Sequence, residues 1–197
     1  LHEEQLQIVR MVGEIYALNT VINEARELAC VTFGEIIESH LAAVDFVAQA
    51  TQIRVPRKFK TVVTSSAGYP LDKTYYQTVK CMVTPLGILE PGGTLFVASE
   101  CSEGFGSREF REAQAKLGTL GPDRFLATLT AKTLGDVDEW QTEMQLKPMR
   151  VGAIQLFTHG LSHEEKRITG VEIVDSIEQA IEASIARHGD NAVAVIP

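Results

Sequence analysis

Apolar residues change their spacing several times along the chain, and each change marks an element. Glu3–Val12 places Leu6 and Val9 on one side, which predicts a short helix. Ile15–Asn23 is rich in Val, Ile, Leu and Tyr, and a second strand-favouring run follows at Ala29–Phe33. With Asn23-Glu24-Ala25 between them, the two runs read as an antiparallel hairpin. From Gly34 to Gln52 the positions Ile37, Leu41, Val44 and Val47/Ala48 recur at helical spacing and form one apolar stripe. Arg54-Val55-Pro56-Arg57-Lys58 then breaks the pattern. Pro56 pushes Val55 out of the helical region, so the helix has ended by that point. This run is the best domain boundary in the chain, although an ordinary surface loop has the same composition.

Beyond it strands and helices alternate. Thr61–Thr64 reads as a buried strand and Asp72–Val83 as a helix, with Asp72 as N-cap after the Pro70 turn. Gly92-Gly93 leads into a strand at Thr94–Ala98, and helices follow at Ser107–Leu117 and Pro122–Lys132. Asp136 and Glu139 have capping-box spacing and open a helix that Pro148 stops near Lys147. Strands are expected at Val151–Phe157, Val171–Val174 and Ala192–Ile196, with a helix from Ser176 to His188 closed by Gly189. Mostly continuous apolar strands separated by helices predict an α/β fold: a Rossmann-like, mostly parallel sheet with helices on both faces. The helix–hairpin–helix segment before it is expected to belong to a second domain. Ligands of such sheets bind outside the carboxyl ends of the strands, here Ser65-Ser66, Ser99-Glu100 and Thr158-His159.

Composition narrows the function. A chain of 197 residues with 45% apolar and 22% charged residues has one domain, or one plus part of another, and is neither disordered nor a disulfide scaffold. Eighteen Lys and Arg against 26 Asp and Glu give a net charge of −8, which argues against a nucleic-acid partner. Cys30, Cys81 and Cys101 form no CxxC pair, so a reducing, cytoplasmic setting is expected. No apolar run approaches the ~18 residues of a membrane span, and no secretion signal is present. The first residue is Leu rather than Met and the helical pattern starts at once, which suggests a portion of a longer protein.

Few residues carry a chemical signal. Ser65–Asp72 has small hydroxyl residues, Gly68 and a helix start, which suit an anion, but an ordinary strand-to-helix turn is the favoured reading. On the following helix Tyr76, Gln77 and Lys80 fall within about 100° of circumference. A phenol, a carboxamide and an ammonium on one face suit a carboxylate, since Lys supplies charge and the others directional donors. A solvated helix face is the plainer alternative. Glu100–Ser107 contains a weak Gly-x-Gly, but Glu100 and Glu103 would repel a pyrophosphate, and a turn capped by Ser107 is favoured. His159 and His163 are four apart as metal ligands on a helix would be, yet Gly160 intervenes and a solvated loop fits better. Trp140, the single Trp, is either core or the wall of a binding site. No catalytic triad or carboxylate pair can be read.

The run Thr64–Lys80, with Gly68-Tyr69-Pro70-Leu71-Asp72 followed by Tyr76-Gln77-x-x-Lys80, resembles the C-terminal domain of the nickel-dependent lactate racemase family. Leu89-Glu90-Pro91-Gly92-Gly93, Glu100–Ser107, Trp140-Gln141 and Arg187-His188-Gly189 before Val193–Pro197 match as well. Leu1-His2-Glu3-Glu4 resembles a stretch from the middle of such a racemase. The resemblance implies a two-domain isomerase of lactate or another 2-hydroxy acid. It implies a nickel pincer nucleotide, tethered to a lysine and held mainly by the N-terminal domain. In that chemistry a hydride leaves C2 for the cofactor while a histidine takes the hydroxyl proton. Gln77 and Lys80 would hold the substrate carboxylate, and Tyr76 and Trp140 would line the cofactor and substrate pocket. Catalytic residues and metal ligands would lie upstream of Leu1, with none in this chain, and His2, His159 and His163 are not given those roles. Residues 1–57 would be the end of the N-terminal domain and 58–197 the C-terminal domain. Its partners would be the small 2-hydroxy acid and its own N-terminal domain, and the chain alone would neither bind nickel nor racemise lactate. The rival is a non-catalytic α/β module that binds small carboxylates. A nucleotide-binding Rossmann domain is a third reading, weakened by the acidic second loop.

Overall fold

The computed structural model describes residues 2–197; Leu1 and the His2 side chain, which enter the resemblance above, lie outside the described residues. Contacts divide the chain into two compact units that meet between Arg54 and Val55, inside the proline-broken run.

The first unit begins with helix α1, His2–Val12. Strands β1, Tyr16–Ile22, and β2, Leu28–Glu35, pair antiparallel, with Tyr16 opposite Glu35 and an irregularity between Val21 and Ile22. Helix α2 spans Ile36–Thr51. Its start lies two residues later than the pattern predicts because Glu35 is the cap: its carboxylate accepts from Ile37 N at 2.9 Å and Glu38 N at 3.0 Å. The buried face of α2 also differs from the predicted stripe. Ser39 and Ala43 are its buried residues, while Leu41 is 52% and Val44 44% exposed. Hydrogen bonds decide this. Asn19 Nδ2 donates to Ser39 Oγ at 3.1 Å and Thr32 Oγ1 to the Ser39 carbonyl at 2.7 Å, so the small residues face the hairpin. The hairpin's other face keeps Tyr16, Leu18, Val31 and Phe33 exposed.

The second unit is built on strands β3 (Phe59–Ser65), β4 (Leu89–Ala98), β5 (Ala153–Phe157), β6 (Glu172–Ile173) and β7 (Val193–Ile196). They form one sheet in the order β6-β5-β4-β3-β7, and every pair is parallel. The connecting helices are α3 (Tyr75–Val83), α4 (Arg108–Leu120), α5 (Pro122–Thr130), α6 (Glu139–Met149), α7 (His163–Ile168) and α8 (Ile177–His188). Helix α3 packs on α6 and β4, and α4 on α6, while α8 packs on β3 and β4. Thr61 Oγ1 meets Ser184 Oγ of α8 at 2.9 Å. Side chains alternate along a strand, so Val62 turns to the opposite face, where it joins Tyr75, Val79, Leu95, Val97 and Leu156 in the core. Helices therefore cover both faces, as expected of a parallel sheet.

Several boundaries shift for tertiary reasons. Helix α3 starts at Tyr75, not Asp72, because Thr74 is the N-cap. Asp72 is buried and serves the neighbouring loop instead: its carboxylate accepts from Glu100 N at 3.2 Å and its carbonyl from Cys101 N at 2.8 Å. Pro148 lies inside α6 rather than beyond its end. Only half of the Asp136–Glu139 capping box forms: Asp136 N donates to Glu139 at 2.9 Å, while the Asp136 carboxylate takes Lys132 at 2.7 Å. Helix α7, expected as loop, is opened by a full capping box between Ser162 and Glu165. Among the described residues no helix is long and apolar enough to cross a membrane.

Candidate functional site

The carboxyl end of β3 runs into a loop with consecutive left-handed residues, Ala67 (φ 61°) and Gly68 (φ 68°), and a cis peptide between Tyr69 and Pro70. The Gly68 carbonyl accepts from both Leu71 N (2.8 Å) and Asp72 N (3.1 Å), which closes the turn. The start of α3 is not open to an anion. Tyr75 N donates to Gly104 O at 3.0 Å, Tyr76 N to Phe105 O at 3.1 Å, and Gln77 N to Thr74 O at 3.0 Å. The loop after β4 and the Thr74 cap have thus satisfied the donors that a free helix terminus would offer. That loop is fastened by its own aromatic ring, since Phe105 packs 5.0 Å from Tyr75 and 5.3 Å from Phe110. The turn reading favoured for both loops is the one the geometry supports.

Helix α3 presents two faces. Tyr75, Thr78, Val79 and Met82 are buried, and the Tyr75 hydroxyl contacts Gln145 Oε1 and the Thr169 carbonyl, both at 2.9 Å. Burial pushes that phenol well above its ordinary pKa. On the outer face Gln77 and Lys80 are exposed and Tyr76 is half-buried. The Lys80 ammonium lies 5.2 Å from the Tyr76 ring centroid. Trp140, on α6, stands edge-on to the same ring at 6.2 Å and 89°, and Phe110 of α4 meets it at 5.2 Å and 79°. Trp140 is 51% exposed, so it lies at the surface rather than in the core. The structure therefore brings Tyr76, Lys80 and Trp140 into one cluster, with Gln77 beside them on α3.

Neighbouring residues hold the cluster in place. Gln141 is fully buried, and its Nε2 donates to the Tyr76 carbonyl at 2.6 Å. Gly106 sits at φ 118°, and a Cβ there would lie 2.9 Å from the Tyr76 Cβ. Only glycine permits that approach. Burial, and next the negative charge of Asp138, raise the Tyr76 pKa. Among the described residues Lys80 forms no ion pair and the Gln77 carboxamide no hydrogen bond, so their donors remain uncommitted. Sequence placed Gly106 only in the weak Gly-x-Gly and did not single out Asp138; their contacts reach residues 30 or more positions away.

The remaining candidates separate from this cluster. His159 pairs with Glu100 at 3.5 Å and stacks edge-on to Phe157 at 4.9 Å. His163 opens α7. Among the described residues no group of three His, Cys, Asp or Glu stands close enough to hold a metal ion. Cys81 touches Ser66 Oγ at 3.2 Å, and burial pushes its thiol up to about 11.

Residues 56–197 match the lactate racemase C-terminal domain family. The chain belongs to that family. It is 23% identical over 202 residues to a lactate racemase of Thermoanaerobacterium thermosaccharolyticum, and 25% identical over 202 residues to one of Lactiplantibacillus plantarum. Each match takes in 100% of this chain but 46% of the relative, so the chain spans about half the length of the curated relatives it matches. The apoprotein structure of the T. thermosaccharolyticum lactate racemase superposes with a TM-score of 0.87 at 20% identity, over 100% of this chain and 47% of that one. A Thermotoga maritima protein superposes with a TM-score of 0.60 at 13% identity, over 98% of this chain and 50% of that one. For this lactate racemase C-terminal domain, the match confirms the α/β fold with its parallel sheet between helices.

Proposed function

We propose that this chain is the C-terminal part of a racemase or epimerase of lactate or a related 2-hydroxy acid, and that the outer face of α3 takes the substrate carboxylate. The carrying observation is the Lys80 ammonium, without an ion pair among the described residues and steadied over the Tyr76 ring beside Trp140. A cation left uncommitted at the carboxyl edge of a parallel sheet suits an anionic ligand. Lys80 supplies the charge-assisted bond, worth about 1.5–3 kcal/mol, and Gln77 a second, directional donor. Tyr76 and Trp140 form an aromatic wall that limits water access to the bound acid. Tyr76 would serve through its ring, which both Lys80 and Trp140 meet.

The family resemblance implies a nickel pincer nucleotide as the redox-active group of the whole enzyme. The resemblance places it mainly with the N-terminal domain, and the described residues group no three His, Cys, Asp or Glu as a ligand set. Residues 1–57 would be the end of that domain. The exposed Tyr16, Leu18, Val31 and Phe33 on one face of the hairpin support this, since apolar surface of that kind ordinarily packs against further chain. On this reading the isolated chain binds the acid weakly and does not racemise it.

The test is to incubate the full-length, nickel-loaded parent and the isolated chain with single enantiomers of a panel of 2-hydroxy acids, then separate the products on a chiral column. Mixed enantiomers from the parent alone support the proposal. Retained optical purity for every acid with the loaded parent favours the carboxylate-binding module.

A further inference from the structure

The loop that satisfies the start of α3 is itself held by α4 and α7. The Gly104 and Phe105 carbonyls accept from Tyr75 N and Tyr76 N, and Gly106 closes against the Tyr76 Cβ. The Phe105 ring is buried against Tyr75 and Phe110, and the Arg111 guanidinium of α4 lies 5.5 Å from its centroid. Arg111 donates through Nη2 to Oε1 of Glu165 on α7, a buried residue 54 positions away.

Glu165 therefore has two uses. Its Oε2 accepts from Ser162 N at 2.9 Å and completes the capping box of α7. A capping box needs only that one oxygen. Oε1 serves Arg111, and it lies 3.2 Å from where a Gly104 Cβ would stand, so the loop backbone passes directly against the carboxylate. Burial works against the charge of Glu165, but the bonds from Ser162, and after them the Arg111 cation, outweigh it and hold its carboxyl below the ordinary range. We infer that Glu165 and Arg111 are positioning residues for the proposed carboxylate site: α7 grips Arg111, Arg111 holds Phe105 in place, and the Phe105-Gly106 backbone fixes Tyr76, the ring over which Lys80 rests. Both act through the loop and not on the acid itself. Their bearing on substrate rests on the carboxylate reading above; the chain of contacts does not.

Amide hydrogen exchange in the full-length protein tests this at the Tyr76 N–H, whose acceptor is the Phe105 carbonyl. Arg111→Met keeps an apolar stem against the ring and removes the cation. Glu165→Gln keeps an acceptor for Ser162 N, so α7 retains its box, and removes the charge that holds Arg111. In either variant the Tyr76 amide should exchange about two- to fivefold faster, the weight of one exposed cation–π contact, while α8 exchanges as before. Arg111→Lys should recover part of the protection. The double variant should exchange no faster than Arg111→Met, because the two residues form one link. KM for the 2-hydroxy acid should rise with the exchange rate, and kcat should change less. Unchanged exchange at Tyr76, equal acceleration in α8, or a parent-like KM in a protein whose KM does respond to Lys80→Ala would overturn the inference. Faster exchange at Tyr76 with KM insensitive to Lys80→Ala would uphold the positioning and overturn the carboxylate reading instead.

Discussion

The Lys80 ammonium rests 5.2 Å from the centre of the Tyr76 ring with no carboxylate paired to it among the described residues. Other lysines are committed to acidic partners: Lys60 meets Glu90 at 3.0 Å, Lys73 meets Glu103 at 2.6 Å and Lys132 meets Glu139 at 2.6 Å. On the proposed reading, that ammonium is the group a substrate carboxylate would meet.

Gly106→Ala should disturb the cluster without touching its polar atoms. The added Cβ would meet the Tyr76 Cβ at 2.9 Å in a backbone that disfavours it. A loss of about 1–3 kcal/mol is expected from the backbone strain. Chemical denaturation measures it, and the Trp140 emission spectrum should shift because the ring beside it moves.

Gln141→Leu makes a more selective change. It removes the bond to the Tyr76 carbonyl, but also the Gln141 Oε1, which is buried without a hydrogen-bond partner. The two effects oppose each other, so a stability loss of about 1 kcal/mol or less is expected. Substrate affinity of the full-length protein should fall by more than that, because α3 loses its tie to α6. Equal losses in both measurements would assign Gln141 a packing role alone.

Acid stability should report the Arg57–Asp190 pair. The guanidinium contacts both carboxylate oxygens, at 2.8 and 3.0 Å. The Arg57 hydrogen bonds, followed by the Ala192 backbone N–H, hold Asp190 at about 2 rather than near 3.8. A carboxylate depressed in the folded state stabilises fully above its unfolded pKa and loses that contribution as pH falls. The window is therefore from about pH 4 down to about 2. Thermal unfolding of Asp190→Asn should show a shallower decline across that window than the parent chain.

The elements the sequence made legible are those set by local periodicity. The five parallel strands follow from short, mostly continuous apolar runs, and the helix face bearing Tyr76, Gln77 and Lys80 from three-to-four-residue spacing. What stayed hidden was decided across the chain. Asp72 has the identity of a helix cap, but the loop after β4 takes its carboxylate and Thr74 caps instead. The apolar stripe of α2 gives way to Ser39 because Asn19 and Thr32 supply hydrogen bonds to it. Helix α7 was readable in principle from Ser162-x-x-Glu165, though its six residues carry too little periodicity to stand out. Asp138 could not be found this way, since Ser107 reaches it only once α4 and α6 have packed.

Substrate saturation of the full-length protein carrying Lys80→Ala addresses the main claim most directly. The lost contact of about 1.5–3 kcal/mol corresponds to roughly a tenfold to hundredfold fall in kcat/KM, with a rise in KM as its main component. Lys80→Arg, which keeps the charge, should recover part of it. Parent-like kcat and KM in Lys80→Ala would contradict the assignment of the α3 face to the substrate carboxylate.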